Sequence, residues 1–376
     1  MHRHGGSNRP RTRPALTLAI ASVFFAAAAP LRAQAPIFGI GDDAALVAPR
    51  TLRFGVRADF LYADALRRAN GDRVPLASSL GFGANDGVSV SAAVSETRLP
   101  IMLEYGVIRR LTLGVSAPMV RRRVEIAADT AFRKASAPPP TTRLADLSAL
   151  ASLNHTNVGD IDFSARIGLI DGFASRAPLR MRLSVEGVFR LGAGPSRNAS
   201  VFVDPGAGDG QNDVELRVLG DVAVGRVLTV SARAAHTVQR PDRQLVVYAD
   251  TVFPSRQFRR AVDRDLGDIT TVEVTPKVRL TRFIAIALDV THRTKTADSY
   301  DGAAPAAGWG LVAEPAGGYS ATHAGFGIVF STGPGAIGSW PVDLQFQHSR
   351  IVHSSGAAIP DFSLDQIGGR VYIKLF

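Results

Sequence analysis

The chain has 376 residues, 46% hydrophobic and 20% charged, with 36 Gly, 22 Pro and no Cys. The missing Cys excludes a disulfide scaffold, an iron–sulfur protein, a zinc finger and a thiol nucleophile, and the apolar content excludes a disordered chain. The formal charge is +10, but Arg3, Arg9, Arg11, Arg13 and Arg32 supply five of the 43 bases; the other 38 face 33 acids, an excess too modest to point to nucleic acid.

Those five arginines flank a run from Ala15 to Ala29 that holds no charge and ends at Pro30. A basic segment, a short apolar run and a small residue for cleavage are the order of a secretory signal peptide. The run is too short for a spanning helix, which needs roughly 18–20 apolar residues. The expected division is a cleaved signal peptide over 1–33, an N-terminal periplasmic segment over 34–49, and an outer-membrane β-barrel over 50–376.

From residue 51 onward the recurring pattern is period-two alternation, the mark of a strand with two unlike faces. Leu52, Phe54, Val56, Ala58, Phe60 and Tyr62 alternate with Arg53, Gly55, Arg57 and Asp59. Leu99 to Val107 and Leu111 to Ala117 repeat the pattern around a tight turn at Ile108-Arg109-Arg110, which predicts a hairpin. Further alternating segments follow at 161–169, 179–190, 213–224, 228–233, 271–280 and 284–293, then at 322–330, 341–351 and 364–376. About twelve strands are expected, and their connections alternate between short and long, which is how an up-and-down membrane barrel is wired. The predicted fold is therefore all-β: an antiparallel up-and-down transmembrane β-barrel with short periplasmic turns and long extracellular loops. The competing fold is a soluble β-sandwich. Segment length favours the barrel, because a tilted membrane strand needs ~9–11 residues and a soluble strand commonly has about 5–6.

The chain closes on Gly369-Arg370-Val371-Tyr372-Ile373-Lys374-Leu375-Phe376. An aromatic-ending last strand resembles the signal read by the outer-membrane assembly machinery, with Tyr372 and Phe376 as its carriers. Lys374 departs from the pattern, and Leu375 rather than Phe376 keeps phase with Val371 and Ile373. Three stretches carry a wider resemblance: Leu103-Glu104-Tyr105-Gly106 running into Leu111-Thr112-Leu113-Gly114-Val115-Ser116-Ala117-Pro118, Gly159-Asp160 before a strand, and Gly208-Asp209-Gly210-Gln211-Asn212-Asp213. They are similar to a family of outer-membrane transporter-like barrels associated with phenol meta-cleavage pathways. The resemblance implies uptake or efflux of small aromatic compounds and brings no catalytic residues.

No enzyme constellation emerges. The eight His include no pair at zinc-ligand spacing, and His348 and His353 lie five apart on one strand. A barrel phospholipase needs a His and a Ser together on the outer face. His236 and His292 have the outward phase, but Ser231 has the inward one. Gly206-Ala207-Gly208-Asp209-Gly210 lacks the Lys and the strand–loop–helix setting of a phosphate loop. Its acids are too few for a calcium site. The basic runs Arg121-Arg122-Arg123 and Arg256 with Arg259-Arg260 read as rim residues beyond strand ends, facing lipopolysaccharide. No cofactor or metal is expected.

What remains is the lumen. The inward phase carries Arg53, Arg57, Arg98, Arg166, Arg180, Arg182, Arg190, Arg217, Arg233, Lys277, Arg279, Arg293 and Lys295. Set among them are Asp59, Glu104, Asp160, Asp162, Glu186, Asp213, Glu215, Asp221, Glu273, Asp289 and Asp343. The expected function is passive or gated passage of small solutes, anionic or aromatic, with the lumenal bases as selectivity elements. Expected partners are outer-membrane lipid and lipopolysaccharide, the barrel-assembly machinery and the solute, with no nucleic acid. The alternatives are a barrel whose paired charges plug it for a structural or adhesion role, and a lipase-like barrel enzyme.

Overall fold

A computed structural model describes residues 44–76, 89–129, 153–173, 177–194, 208, 210–249, 257–301, 317–331 and 342–375. Its main sheet runs through β1 (Thr51–Ala63), β2 (Ser89–Ile108), β3 (Leu111–Asp129), a two-part β4 (Leu153–Val158 and Ile161–Asp171) and β5 (Leu179–Leu191). It continues through β6 (Asp213–Val224), β7 (Leu228–Gln239), β8 (Ile269–Arg279), β9 (Ile284–Lys295), β10 (Tyr319–Ser331), β11 (Val342–Gly356) and β12 (Ser363–Lys374). The two parts of β4 pair with successive stretches of β3, so they act as one stave broken at Gly159-Asp160. Each strand pairs antiparallel with its sequence neighbours, and β1 pairs with both β2 and β12. Among the described residues the result is a closed, twelve-stave up-and-down barrel. Closure leaves no strand edge unpaired, which is the condition a bilayer sets.

The faces are those of a membrane barrel turned the opposite way from a soluble sheet. On β8, Glu273, Thr275 and Lys277 are buried while Val272, Val274 and Val278 are exposed. Leu216 is 56% exposed on β6 and Leu288 57% exposed on β9. No water-soluble sandwich leaves a continuous apolar belt outside and its charges inside. The twelve strands, the closure and the unequal ends all follow the period-two alternation. At the short-turn end, β2 and β3 are joined at Arg109-Arg110, and β6 and β7 through Gly225 at φ 59°. A left-handed residue there lets the chain reverse in three residues.

Three features differ from the expectation. First, β2 and β3 are 20 and 19 residues long. In their long-loop halves the even-numbered residues still face in, but apolar Val94, Val120 and Val124 join Glu96 and Arg122 there, while Arg121, Arg123 and Glu125 are exposed outside. The apolar positions switch from odd to even there, so an alternation followed on one face stops early. Arg121-Arg122-Arg123 is thus inside β3 rather than past its end. Second, Asp242–Ala249 and Gln257–Asp265 form a hairpin extended by Ser299–Tyr300 at the long-loop end. Leu245-Val246-Val247-Tyr248 is a run of strand formers without alternation, which reads as loop by pattern alone. Third, Ala65–Arg67, Arg73–Pro75 and Ile359–Pro360 make a small sheet over the same end. Ile359 packs there with Ala321 and Ile351.

Candidate functional site in the barrel lumen

The candidate site is the inner wall. Cross-strand register decides which charges meet, because directly opposed residues share a face. Arg53 of β1 stands opposite Glu104 of β2 and binds it through two guanidinium nitrogens, Nη2 donating to Oε1 at 2.6 Å. Arg57 and Asp59, two apart on β1, pair at 2.8 Å. Arg98 and Arg122 converge on Glu96 from β2 and β3. Glu186 of β5 is the hub of the next group. It accepts from Arg166 Nη2 at 3.1 Å and from Arg217 Nη1 at 3.2 Å, so one carboxylate ties together β4, β5 and β6. Arg217 also holds Glu215. Arg190 spans Asp162 at 2.9 Å and Asp213 at 3.8 Å. On the far side Arg233 pairs with Glu273 at 3.0 Å, across β7 and β8.

Neutral donors complete the lining. Asp289 accepts from Thr275 Oγ1 and from Gln347 Nε2, both at 3.1 Å, which links β8, β9 and β11. Asp343 accepts from Ser331 Oγ at 2.6 Å and from Tyr372 Oη at 3.2 Å. Asp221 accepts from Ser231 Oγ at 2.7 Å. Ser184, Asp221, Thr275 and Lys277 have almost no exposed surface. A small pocket is lined by Arg57, Met102, Asp343, Gln345, Gly368 and Arg370.

The inward register holds the bases named from the sequence: Arg53, Arg57, Arg98, Arg166, Arg180, Arg182, Arg190, Arg217, Arg233, Lys277, Arg279, Arg293 and Lys295. Glu104, Asp59, Glu186, Glu273 and Asp289 share that face. They do not form one cluster. Arg180 and Arg279 sit at the short-turn mouth, where Arg180 Nη2 donates to Gly225 O at 2.7 Å. Arg182 pairs with Asp171 at 3.2 Å and lies over the Phe173 ring at 4.4 Å. Asp160 lies in the break of β4 rather than on a strand, and accepts from Gly194 N at 3.0 Å.

Some lumenal residues escape a reading by alternation. Glu96 and Arg122 keep the even-numbered inward phase of Glu104 and Thr112 into the long-loop halves of β2 and β3, so Arg122 points inward between two outward arginines. Thr275, Gln347 and Ser184 carry no charge, and only the register of adjacent strands marks them. Tyr372 faces inward with Arg370 and Lys374, while Val371 and Leu375 face outward; Phe376 lies outside the described residues. The outward histidines have other partners. His236 Nδ1 lies 3.0 Å from Thr270 Oγ1, and His292 Nδ1 2.9 Å from Thr322 Oγ1. Ser231 points to the opposite face, as its phase requires. His348 pairs with Asp365 at 2.7 Å, and its cross-strand neighbours are Phe326 and Asp365.

No family model matches the chain, and no curated protein does. Solved structures do. An outer membrane channel from Pseudomonas putida F1, known from its crystal structure, aligns with 89% of this chain and 99% of its own, at 16% identity and a TM-score of 0.57. The Pseudomonas putida toluene transporter TodX aligns at 11% identity over 88% and 90% of the two chains, with a TM-score of 0.35. The NanC porin aligns at 9% over 84% and 98%, with a TM-score of 0.36. Only the first likeness is strong enough to use, and at 16% identity it speaks for the fold. The chain has the fold of a bacterial outer-membrane β-barrel.

Proposed function

We propose that this protein is a narrow outer-membrane channel for small polar solutes, with carboxylates, aromatic ones included, as the preferred class. One observation carries the reading: a closed barrel whose belt of exposed aliphatic side chains encloses an inner wall of paired and hydrogen-bonded charges. An apolar belt suits a bilayer, and a charged wall has no purpose in hydrocarbon unless water or a solute meets it. Guanidinium groups suit carboxylates because their fork matches two oxygens. The short-turn end is then periplasmic and the long-loop end extracellular. The long-loop end carries Arg121 and Arg123 on its outer face, where the phosphates of lipopolysaccharide would lie.

The test is single-channel recording of the refolded chain from residue 34 onward, in a planar bilayer under a salt gradient. Discrete current steps with a reversal potential on the anion side are expected. Stable insertion without current overturns the channel reading. A second reading has an observation of its own. The complete burial of Ser184, Asp221, Thr275 and Lys277 suits a barrel plugged by its own ion pairs, in a structural or adhesion role. Insertion without current is the outcome that reading expects.

A further inference from the structure

The residues just ahead of β1 do not hang below the barrel. Thr51 N donates to Ala48 O at 3.1 Å, with Pro49 and Arg50 between them and Arg50 at φ 57°. Proline at the second position and a left-handed residue at the third are the makings of a tight reversal. Arg50 N donates to Gly106 O at 2.8 Å, and Arg50 O accepts from Leu375 N at 2.7 Å, so the reversal is fixed to the rim between β2 and β12. The chain therefore enters the lumen at the short-turn mouth.

Inside, three staves hold it by its backbone. Val47 N donates to Thr112 Oγ1 of β3 at 3.0 Å. Arg166 Nη1 of β4 donates to Ala45 O at 3.2 Å. Ala44 N donates to Asp221 Oδ2 of β6 at 3.1 Å. Ala44 and Val47 are 0% and 1% exposed. The wall is also cut to receive the segment. A Cβ on Gly106 would lie 2.1 Å from Ala48 O, and one on Gly168 would lie 2.5 Å from Leu46 Cδ1. Neither glycine has a left-handed backbone, so each is there for space rather than for conformation. Six extended residues reach roughly 20 Å, and strands lie about 4.8 Å apart, so the segment runs past about four staves of the inner wall.

We propose that residues 44–49 form a strap that sets the bore at this mouth, and that the full bore opens only when the strap leaves its bed. This rests on the channel reading given above. The strap occupies cross-section that a solute needs, and it covers Arg166 and Asp221 on the wall. Its hold lies within one short segment and includes three side-chain-to-backbone hydrogen bonds, the backbone bonds of the reversal and the burial of Ala44 and Val47. Short segments of this kind open without unfolding the rest of a protein. The charge on the wall uncovered by opening would then meet the solute directly.

The experiment compares four refolded chains in planar bilayers, after each shows the slow, unheated gel migration of a closed barrel. They are the chain from residue 34, the chain from Arg50, Gly168→Leu, which fills the bed of Leu46, and the pair Leu46→Cys with Gly168→Cys. The chain has no Cys of its own, so the engineered pair has no competitor. The shortened chain and Gly168→Leu should show unitary conductance raised at least about twofold, as expected when the narrowest section of a pore widens. The oxidised pair should stay at the lowest level, and reduction should release it. A separate readout needs no current: Val47→Cys in the folded barrel should resist a bulky maleimide, while Arg226→Cys on an exposed turn reacts fast. Equal conductance in all four chains overturns the strap and leaves the channel reading standing. Rapid labelling of Val47→Cys also overturns the strap. Inserted barrels that never conduct, with or without the strap, overturn both.

Discussion

Glu186 shows how much a single residue carries in this lumen. It is 2% exposed and holds two guanidiniums from two different strands. Removing one partner of a buried pair leaves the other charges desolvated and unanswered, which typically costs 3–5 kcal/mol. Glu186→Ala should therefore lower unfolding stability by about 3 kcal/mol in a denaturant titration of the barrel in lipid vesicles; Arg217, which keeps Glu215, holds the loss toward the lower end of that range. Arg123 is the contrast. Its side chain and that of Glu125, 2.7 Å away, are each 52% exposed, so water already screens the pair. Arg123→Ala should cost less than about 1 kcal/mol in the same titration. Equal losses from the two substitutions would show that burial does not set the strength of these pairs.

At the scale of the strand, the two halves of the barrel obey different rules. Over most staves the outward residues are aliphatic and the inward ones polar. Leu288, midway along the outer face of β9, is 57% exposed to what the reading makes hydrocarbon. Leu288→Arg should cost about 2–4 kcal/mol in vesicles, the usual toll for a cation near the middle of a bilayer. In the long-loop halves of β2 and β3 charged residues stand outside and apolar ones join the inner face. Val124 is 2% exposed on the inner side while Arg123 stands outside in water. Val124→Asp should destabilise by about 3 kcal/mol, because it buries an unpaired carboxylate. Arg123→Asp should change stability by less than about 1 kcal/mol. A mild Val124→Asp would mean that the inward burial of apolar residues at this height is not maintained. The change has a simple cause: above the bilayer the solvent outside the barrel is water, so the apolar residues must face in.

For the whole molecule, the bases and acids of the wall mostly pair with one another, and Arg180 and Arg279 lie near each other at the short-turn mouth. Ion preference should then be modest and sensitive to salt. The reversal potential measured at a mean ionic strength near 0.1 M should shrink toward zero near 1 M, as the screening length falls from about 10 Å to about 3 Å. Arg180→Ala combined with Arg279→Ala should remove most of the anion preference at low salt. A preference unchanged by salt would place the selective step at a dehydrated constriction instead of a charged mouth.

Much of this architecture is readable along the chain. Strand alternation, the unequal connections and the inward phase of residues such as Arg53, Glu186 and Asp289 are local properties, because neighbouring side chains on a strand must point opposite ways. What local pattern does not contain is register. Arg53 meets Glu104 across 51 positions, and Glu186 takes Arg166 and Arg217 from strands on either side, because antiparallel pairing brings distant residues opposite one another. The same holds for Thr275, Gln347 and Tyr372, which are unremarkable in sequence and become lumenal partners of Asp289 and Asp343 once the staves are aligned. The strap is the furthest from view. Ala44 to Pro49 carries no charge and no repeating pattern, and its place in the lumen follows from a reversal at Pro49-Arg50 and from two glycines more than fifty positions away. Periodicity assigns faces because it depends on one strand at a time; partners, heights and enclosed segments depend on how the closed ring sets its strands against each other.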